Sequence, residues 1–446
     1  MWLGISGTVA FARNITRRFL GAMASPQLAR AVGSPVYFLA GRRADKEISL
    51  ESARAILVVC VDGIGNVVLA TPFLRELRRN APRGWITLVV KPEVLNLVEL
   101  CPYVNEIVTF DWRASGRTST LKRHARALRL AATRLWRRRF DLAILPRWDA
   151  DYYHATYLIY FSGASRRVSY SEHVLQRKQQ INTGFDRLLT DALADTSAIH
   201  EVDQYLEVLR FLGGEVVDDQ LELWLDDKDR SLAGQLLAQH GMARDDGVMA
   251  LAPGASLPKK CWPVERFVEL GRRLVREYDA RFVVVGGPQD SHLGQRLETE
   301  LGSSRVLNLA GRITLRQTGA VLERCCLTVS NDSGPMHLAA AVGSPVVKIA
   351  WHPRGSSPAD PDSPARFHPW GVPHVVVQPE RATDGCRDSC ESSEPHCILG
   401  IQPDQVLEAA RRLVRAGGKV QGEMVRAVYP ERAERDSSPS LRSGSE

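Results

Sequence analysis

From about residue 50, short apolar runs recur along the chain, each followed by a stretch with helical spacing. Residues 55–61 (AILVVCV) are apolar without a break, and Gly63 and Gly65 follow at once. A run this short and continuous reads as a parallel strand buried on both faces. Residues 66–80 then place Val67, Leu69, Ala70, Phe73, Leu74 and Leu77 at helical intervals. Further strands are predicted at 86–90, 106–110 and 141–145. A basic helix from Ser119 sets Leu121, Ala125, Leu128 and Leu135 on one side. Residues 200–213 (HEVDQYLEVLRFLG) read as a helix closed by Gly213-Gly214.

A polar, Asp-rich stretch at 216–229 follows, and the alternation then restarts. Strands are predicted at 248–252, 281–285, 306–309, 327–330 and 346–349. Helices are predicted at 264–277, from Ser291, at 315–323 and at 335–342. Alternating strands and helices argue two α/β units built on parallel sheets. The expected organisation is an N-terminal basic extension at 1–50, a first unit at 51–222, a second at 223–415 and a disordered tail at 416–446.

Composition narrows the function classes only in part. The chain has 446 residues, 44% hydrophobic and 24% charged, enough apolar content for two large cores. Its formal charge of +7 suits acidic small molecules, anionic lipid or nucleic acid without choosing among them. No uncharged apolar run is long enough to predict a membrane-spanning helix. The N-terminus carries a cleavage-like triplet, Ala22-Met23-Ala24, but Arg13, Arg17 and Arg18 sit where a signal peptide needs its apolar core. It reads instead as a basic amphipathic helix with Trp2, Leu3, Ile5, Phe11, Ile15, Phe19 and Leu20 on its greasy side, lying on an anionic bilayer or on the protein itself. Nucleic acid is disfavoured, because the basic stretch 113–139 lacks interleaved stacking aromatics apart from Trp136.

Three strand exits carry candidate chemistry. The sequence Asn331-Asp332-Ser333-Gly334-Pro335 leaves an apolar strand, with Pro335 suited to the first helical position and His337 one turn in. Unpaired amides at the front of that helix favour an anion, and Gly334 lets a diphosphate approach the backbone. Asp332 would repel a phosphate, so it either orients the loop or binds a hydroxyl or amine of the ligand. Pro253-Gly254-Ala255-Ser256 leaves a second strand, with Lys259 and Lys260 just beyond to neutralise charge. Asp62-Gly63-Ile64-Gly65-Asn66 leaves the first strand of the chain, where Asp62 is a carboxylate free to act as a base and Asn66 is a good helix cap. Cys386, Cys390, His396 and Cys397 offer four zinc-type ligands in twelve residues. Their spacing is not that of a standard finger, and adjacent His396-Cys397 is awkward for one tetrahedral ion, so the metal assignment is none.

Taken in order, these segments resemble glycosyltransferase family 9, the heptosyltransferases. The resemblance rests on GIGNVVLATPFLREL, LPRWDADYY with SGASRRVSYS, HEVDQYLEVL, PGAS with KKCWP, VVVGGPQD, NLAGRITL and NDSGPMHLAAAVGSP, across most of 54–415. It implies a GT-B fold, two Rossmann-like domains facing each other across a cleft. It implies inverting transfer of a heptose or related sugar from ADP-heptose or a similar nucleotide-diphosphate sugar, with no cofactor and no metal. The implied acceptor is a lipid-linked or lipopolysaccharide core glycan, and the implied location is cytoplasmic, at the inner face of the membrane. By position, Ser256 and Lys260 would hold the diphosphate. Asp332, Ser333, Gly334 and His337 would line the donor side, and Gly63 and Gly65 the acceptor side. The chain departs from the family at Asn66, where the family has the Asp that serves as base. An amide cannot accept that proton, so Asp62 is the expected base with Asn66 orienting the acceptor. The alternative is a weakly active or non-catalytic relative that binds nucleotide sugar or glycan. An epimerase or other α/β enzyme with a diphosphate ligand lacks a full GxGxxG with its acidic partner.

Overall fold

A computed structural model describes residues 26–27, 29–31, 33, 44–113, 119–242, 247–384, 386 and 392–417. The expected N-terminal helix, residue Cys390 and the tail from 418 lie outside the described residues. The chain divides into two compact units, Met1–Asp219 and Gln220–Glu446.

The first unit is built on six parallel strands: β1 (Ala55–Cys60), β2 (Trp85–Val90), β3 (Glu106–Thr109), β4 (Leu142–Leu145), β5 (Arg166–Tyr170) and β6 (Asp191–Leu193). Their order across the sheet is β3-β2-β1-β4-β5-β6. The second unit repeats the plan with β7 (Val248–Ala252), β8 (Arg281–Val284), β9 (Val306–Asn308), β10 (Leu327–Asn331), β11 (Val346–Ile349) and β12 (His374–Val377). Its order, β12-β11-β10-β7-β8-β9, is the same arrangement read from the other edge. Each unit is therefore doubly wound about its first strand, and the order reverses between β1 and β4 and between β7 and β10. The crevice outside the carboxyl ends of those strands is where such sheets bind ligands.

Central strands are apolar on both faces because helices cover both. β4, β7, β10 and β11 are buried at every position, and β1 at all but its first. The second core gathers Met249, Leu251, Phe267, Leu274, Phe282, Val329 and Val347 around Trp262, whose indole N–H donates to the Ile401 carbonyl at 2.9 Å. Three strands escape the periodicity argument. β5 (RRVSY) is polar at three of five positions, its Arg166 held by Asp191 of β6 at 3.2 Å. β6 spans three residues at a sheet edge, and β12 is a short edge run.

Other boundaries shift for local reasons. The helix after β1 starts at Ile64 with Gly63 as its cap, so Asn66 is its third residue and not a cap. Ala70 ends it, and a second helix, Thr71–Asn80, begins with Pro72 near its start. The Asp-rich 216–229 stretch is partly a helix start: Asp226 and Asp229 form a reciprocal capping box on Asp227–Gln239. In the basic helix Ser119–Leu130 the buried side is His124 and Ala127, continued by Ala131 and Leu135, whereas Ala125 and Leu128 face solvent. The predicted stripe counted only aliphatic residues and passed over His124, which is buried because it meets His154 at 2.8 Å and stacks on Tyr157.

Candidate active site

In the second unit, β10 ends at Asn331, whose amide bridges the two strands of the switch point. Its Nδ2 donates to the Pro253 carbonyl after β7 at 2.6 Å, and its Oδ1 accepts from the Trp262 amide at 3.2 Å. This fixes the turn that carries Asp332. Oδ2 of Asp332 accepts from Lys260 at 3.3 Å, and Oδ1 accepts from Lys348 of β11 at 2.7 Å. Lys348 has no exposed surface and also donates to the Phe367 carbonyl at 3.0 Å. Lys260 reaches a second carboxylate, Asp362, at 2.8 Å. The amines that Asp332 binds are thus the protein's own, Lys260 and Lys348.

The charge states follow from this network. Burial opposes ionisation of Asp332, but the attraction of Lys348 and Lys260 outweighs it and holds the carboxyl well below the usual carboxylate range. Burial likewise opposes the charge on Lys260, and Asp332 and Asp362 overcome it, raising its pKa. His337 and His352 stay neutral: burial first and then the nearby Lys348 push His337 down to about 3, and burial pushes His352 down to about 4. Nδ1 of His337, both ring nitrogens of His352 and the indole nitrogen of Trp351 are buried without a hydrogen-bond partner among the described residues. Buried polar atoms left unpaired beside a charged cluster are what a polar ligand or ordered water would satisfy.

The helix that follows, Gly334–Ala341, has Ser333 as its cap residue without a side-chain cap bond. The Ser333 hydroxyl turns back to the Asn331 carbonyl at 3.3 Å, so it does not compete for the first-turn amides. Ser256 is exposed beyond β7. Gly254 is needed there because a Cβ would overlap the Asp290 carboxyl group. Asp290 in turn accepts from the Gly287 amide at 2.8 Å.

In the first unit the switch point brings Asp62, beyond β1, against Arg147, beyond β4. Both are largely buried, and the guanidinium donates to Oδ1 of Asp62. Oδ2 of Asp62 has no partner among the described residues. Arg147 is itself anchored by the Ala150 carbonyl at 2.7 Å, and Lys178 donates to the Arg147 and Trp148 carbonyls at 2.8 and 3.1 Å. Burial pushes the Lys178 ammonium down to about 7. Lys91, at the exit of β2, lies 3.6 Å from the Tyr153 ring centre and 4.8 Å from that of Trp112. Gly63 faces open space: a Cβ at that position would meet nothing within 4 Å. Gly65 and Asn66 are half-buried on the helix that follows. The side chain of Asn66 makes no hydrogen bond to the described residues.

Arg147, Lys91, Lys348 and Asp362 were not singled out in the sequence. Lys348 had a signal: a lysine inside the apolar strand VVKI must be paired if the strand is buried. Arg147 had a weaker one, its place just after an apolar run ending at Leu145. Lys91 and Asp362 had none, since their partners are distant in sequence.

Two parallel six-stranded sheets with helices on both faces, each with its polar cluster at the switch point, define a two-domain GT-B fold. Residues 133–381 match the profile of glycosyltransferase family 9 (heptosyltransferase), and the chain belongs to that family. A glycosyl transferase family 9 structure from Veillonella parvula superposes with a TM-score of 0.65 at 23% identity, covering 83% of this chain and 99% of that one. The E. coli ADP-heptose lps heptosyltransferase II structure gives a TM-score of 0.58 at 21% identity, covering 81% and 99%. Among curated proteins, lipopolysaccharide heptosyltransferase 2 of Salmonella typhimurium is 27% identical over 202 residues, 44% of this chain and 54% of the relative. The chain therefore spans about half the length of that relative. No described helix is long and apolar enough to cross a membrane.

Proposed function

We propose that this protein is an inverting glycosyltransferase that moves a heptose or related sugar from ADP-heptose, or a similar nucleotide-diphosphate sugar, to a lipopolysaccharide-type glycan. The observation that carries this reading is the Lys260–Asp332–Lys348 network at the switch point of the second unit, beside a helix front whose cap residue leaves the amides alone. The fold and the family support it. Lys260, with Ser256 and the amides at Gly334, takes the diphosphate. Asp332, kept in place by Lys348, and His337 line the sugar side. In the first unit, Asp62 accepts the proton of the acceptor hydroxyl as that oxygen bonds the anomeric carbon. The bond from that carbon to the diphosphate breaks, and the nucleoside diphosphate leaves with the electron pair. Gly63 and Gly65 leave room for the acceptor, and Asn66 orients it. No metal ion and no cofactor is part of this scheme.

A transfer assay with ADP-heptose and a truncated core glycan tests it, with Asp62→Asn as the variant. Turnover is expected to fall by about two orders of magnitude or more while the donor still raises the melting temperature. Undiminished turnover in Asp62→Asn rules out this base. A second reading is favoured by one observation: Arg147 already occupies Oδ1 of Asp62. On that reading the protein binds the nucleotide sugar without transferring it, and the Asn66→Asp variant would gain turnover where the parent has none.

The location follows from the substrate. The helix at 119–130 and the turn after it expose Lys122, Arg126, Arg129, Arg134, Arg137 and Arg139, and a lipid-linked acceptor would bring this face to the anionic cytoplasmic surface of the membrane. Flotation with anionic and with neutral vesicles tests this; equal recovery with both removes the membrane from the scheme.

A further inference from the structure

Before the helix Pro403–Gly417 the chain makes a long connection whose regular structure, among the described residues, is one short turn, Cys397–Gly400. Ile398 of that turn is fully buried in the second core. Cys386, His396 and Cys397 converge on this point, with one ligand atom of each lying within 4.8 Å of the others. Cys386 and Cys397 are both buried thiols not joined in a disulfide. Local backbone contacts hold the group together. The Cys386 amide donates to the Thr383 carbonyl at 2.9 Å, and the Thr383 amide donates to the Cys397 sulfur at 3.4 Å. The Cys397 amide donates to Nδ1 of His396, which fixes the ring and turns coordination to Nε2.

We propose that Cys386, His396 and Cys397 bind a zinc ion that ties this connection to the core of the second unit. Two sulfurs and an imidazole nitrogen suit zinc and do not suit the hard, oxygen-seeking cations. With zinc–sulfur bonds of about 2.3 Å, two sulfurs of a tetrahedral site sit about 3.8 Å apart. The observed spread closes to that with shifts of about an ångström or less. An amide N–H on one sulfur is the outer contact that steadies a thiolate ligand. The adjacency of His396 and Cys397 is no obstacle: the backbone at His396 (φ −143°, ψ −67°) departs from the extended form that sends neighbouring side chains to opposite faces, and the ligand atoms of both lie within 4.8 Å of each other. The three residues supply three of the four ligands of a tetrahedral ion. A disulfide between the two cysteines would leave the imidazole without a part.

The test uses the full chain, purified under reducing conditions without a histidine tag. Mass spectrometry of metals is expected to find about one zinc per chain, and the Cys386→Ser/Cys397→Ser double variant about a tenth of that or less. Cobalt(II) exchanged into the wild-type protein is expected to show a thiolate-to-cobalt charge-transfer band, a reading that does not depend on the variant folding. Three outcomes each overturn the proposal: reduced protein that takes up no zinc, a cobalt spectrum without sulfur character, or metal retained by the double variant.

Discussion

Replacing Asp332 with Asn leaves the fully buried Lys348 facing neutral acceptors, the new amide oxygen and the Phe367 carbonyl, in place of a carboxylate. Lys260 is less exposed to the loss, because Asp362 still pairs with it at 2.8 Å. Removing one partner of a buried ion pair costs about 3–5 kcal/mol, because the other charge stays uncompensated. That is a large share of the roughly 5–15 kcal/mol that holds a domain folded. The companion change Lys348→Met removes the stranded charge and keeps its volume. The double variant Asp332→Asn/Lys348→Met should therefore be more stable than Asp332→Asn alone, with a coupling of about 1–3 kcal/mol. Urea denaturation gives the energies, and hydrogen exchange on peptides covering β10 and β11 locates the change. The acid limb supplies a second check. Asp332 has its pKa depressed in the folded state, so its contribution is present above the unfolded carboxylate value of about 3.9 and is lost as pH falls below it. Asp332→Asn should lose less stability than the parent between about pH 4 and pH 2. If Asp332→Asn costs under about 1 kcal/mol and is additive with Lys348→Met, the network does not hold the turn and the account of the donor site fails with it.

Three further outcomes are expected. Asp362 competes for Lys260 from a half-exposed position in the left-handed region (φ 56°), so Asp362→Asn should tighten donor binding by about three- to tenfold, read as a lower KM; weaker binding would make Asp362 a donor ligand instead. His124 and His154 are held neutral chiefly by burial, His124 down to about 3, so the unfolded chain takes up protons that the folded chain refuses below about pH 6.5. The melting temperature should fall from about pH 6.5 to pH 4 and fall less in His124→Phe, which keeps the stack on Tyr157; an equal slope would disprove the role of the pair. Gly254→Ala forces a methyl into the Asp290 carboxyl group, at a cost of about 1–3 kcal/mol with donor binding weakened; an unchanged melting temperature would show that the turn can give way.

The local pattern of the chain determined most of its strands and helices. Runs such as AILVVC and VMALA have one stable fate, burial on both faces of a parallel sheet, and the turns that follow them carry the glycines, caps and polar residues that strand exits require. That logic reaches only neighbours in sequence, so it located Asp62, Asp332 and Lys260 without their partners. The tertiary structure decided what each carboxylate faces. Parallel strands place β4 beside β1 and β11 beside β10. That pairing sets Arg147 on Asp62, 85 residues apart in the chain, and Lys348 on Asp332. It also buried His124 in place of Leu128 and gathered Cys386 with His396 and Cys397. Hydrophobic burial is non-directional and can be read from composition along the chain. Charge pairing depends on distance in space, and only the register of the folded sheet sets that distance.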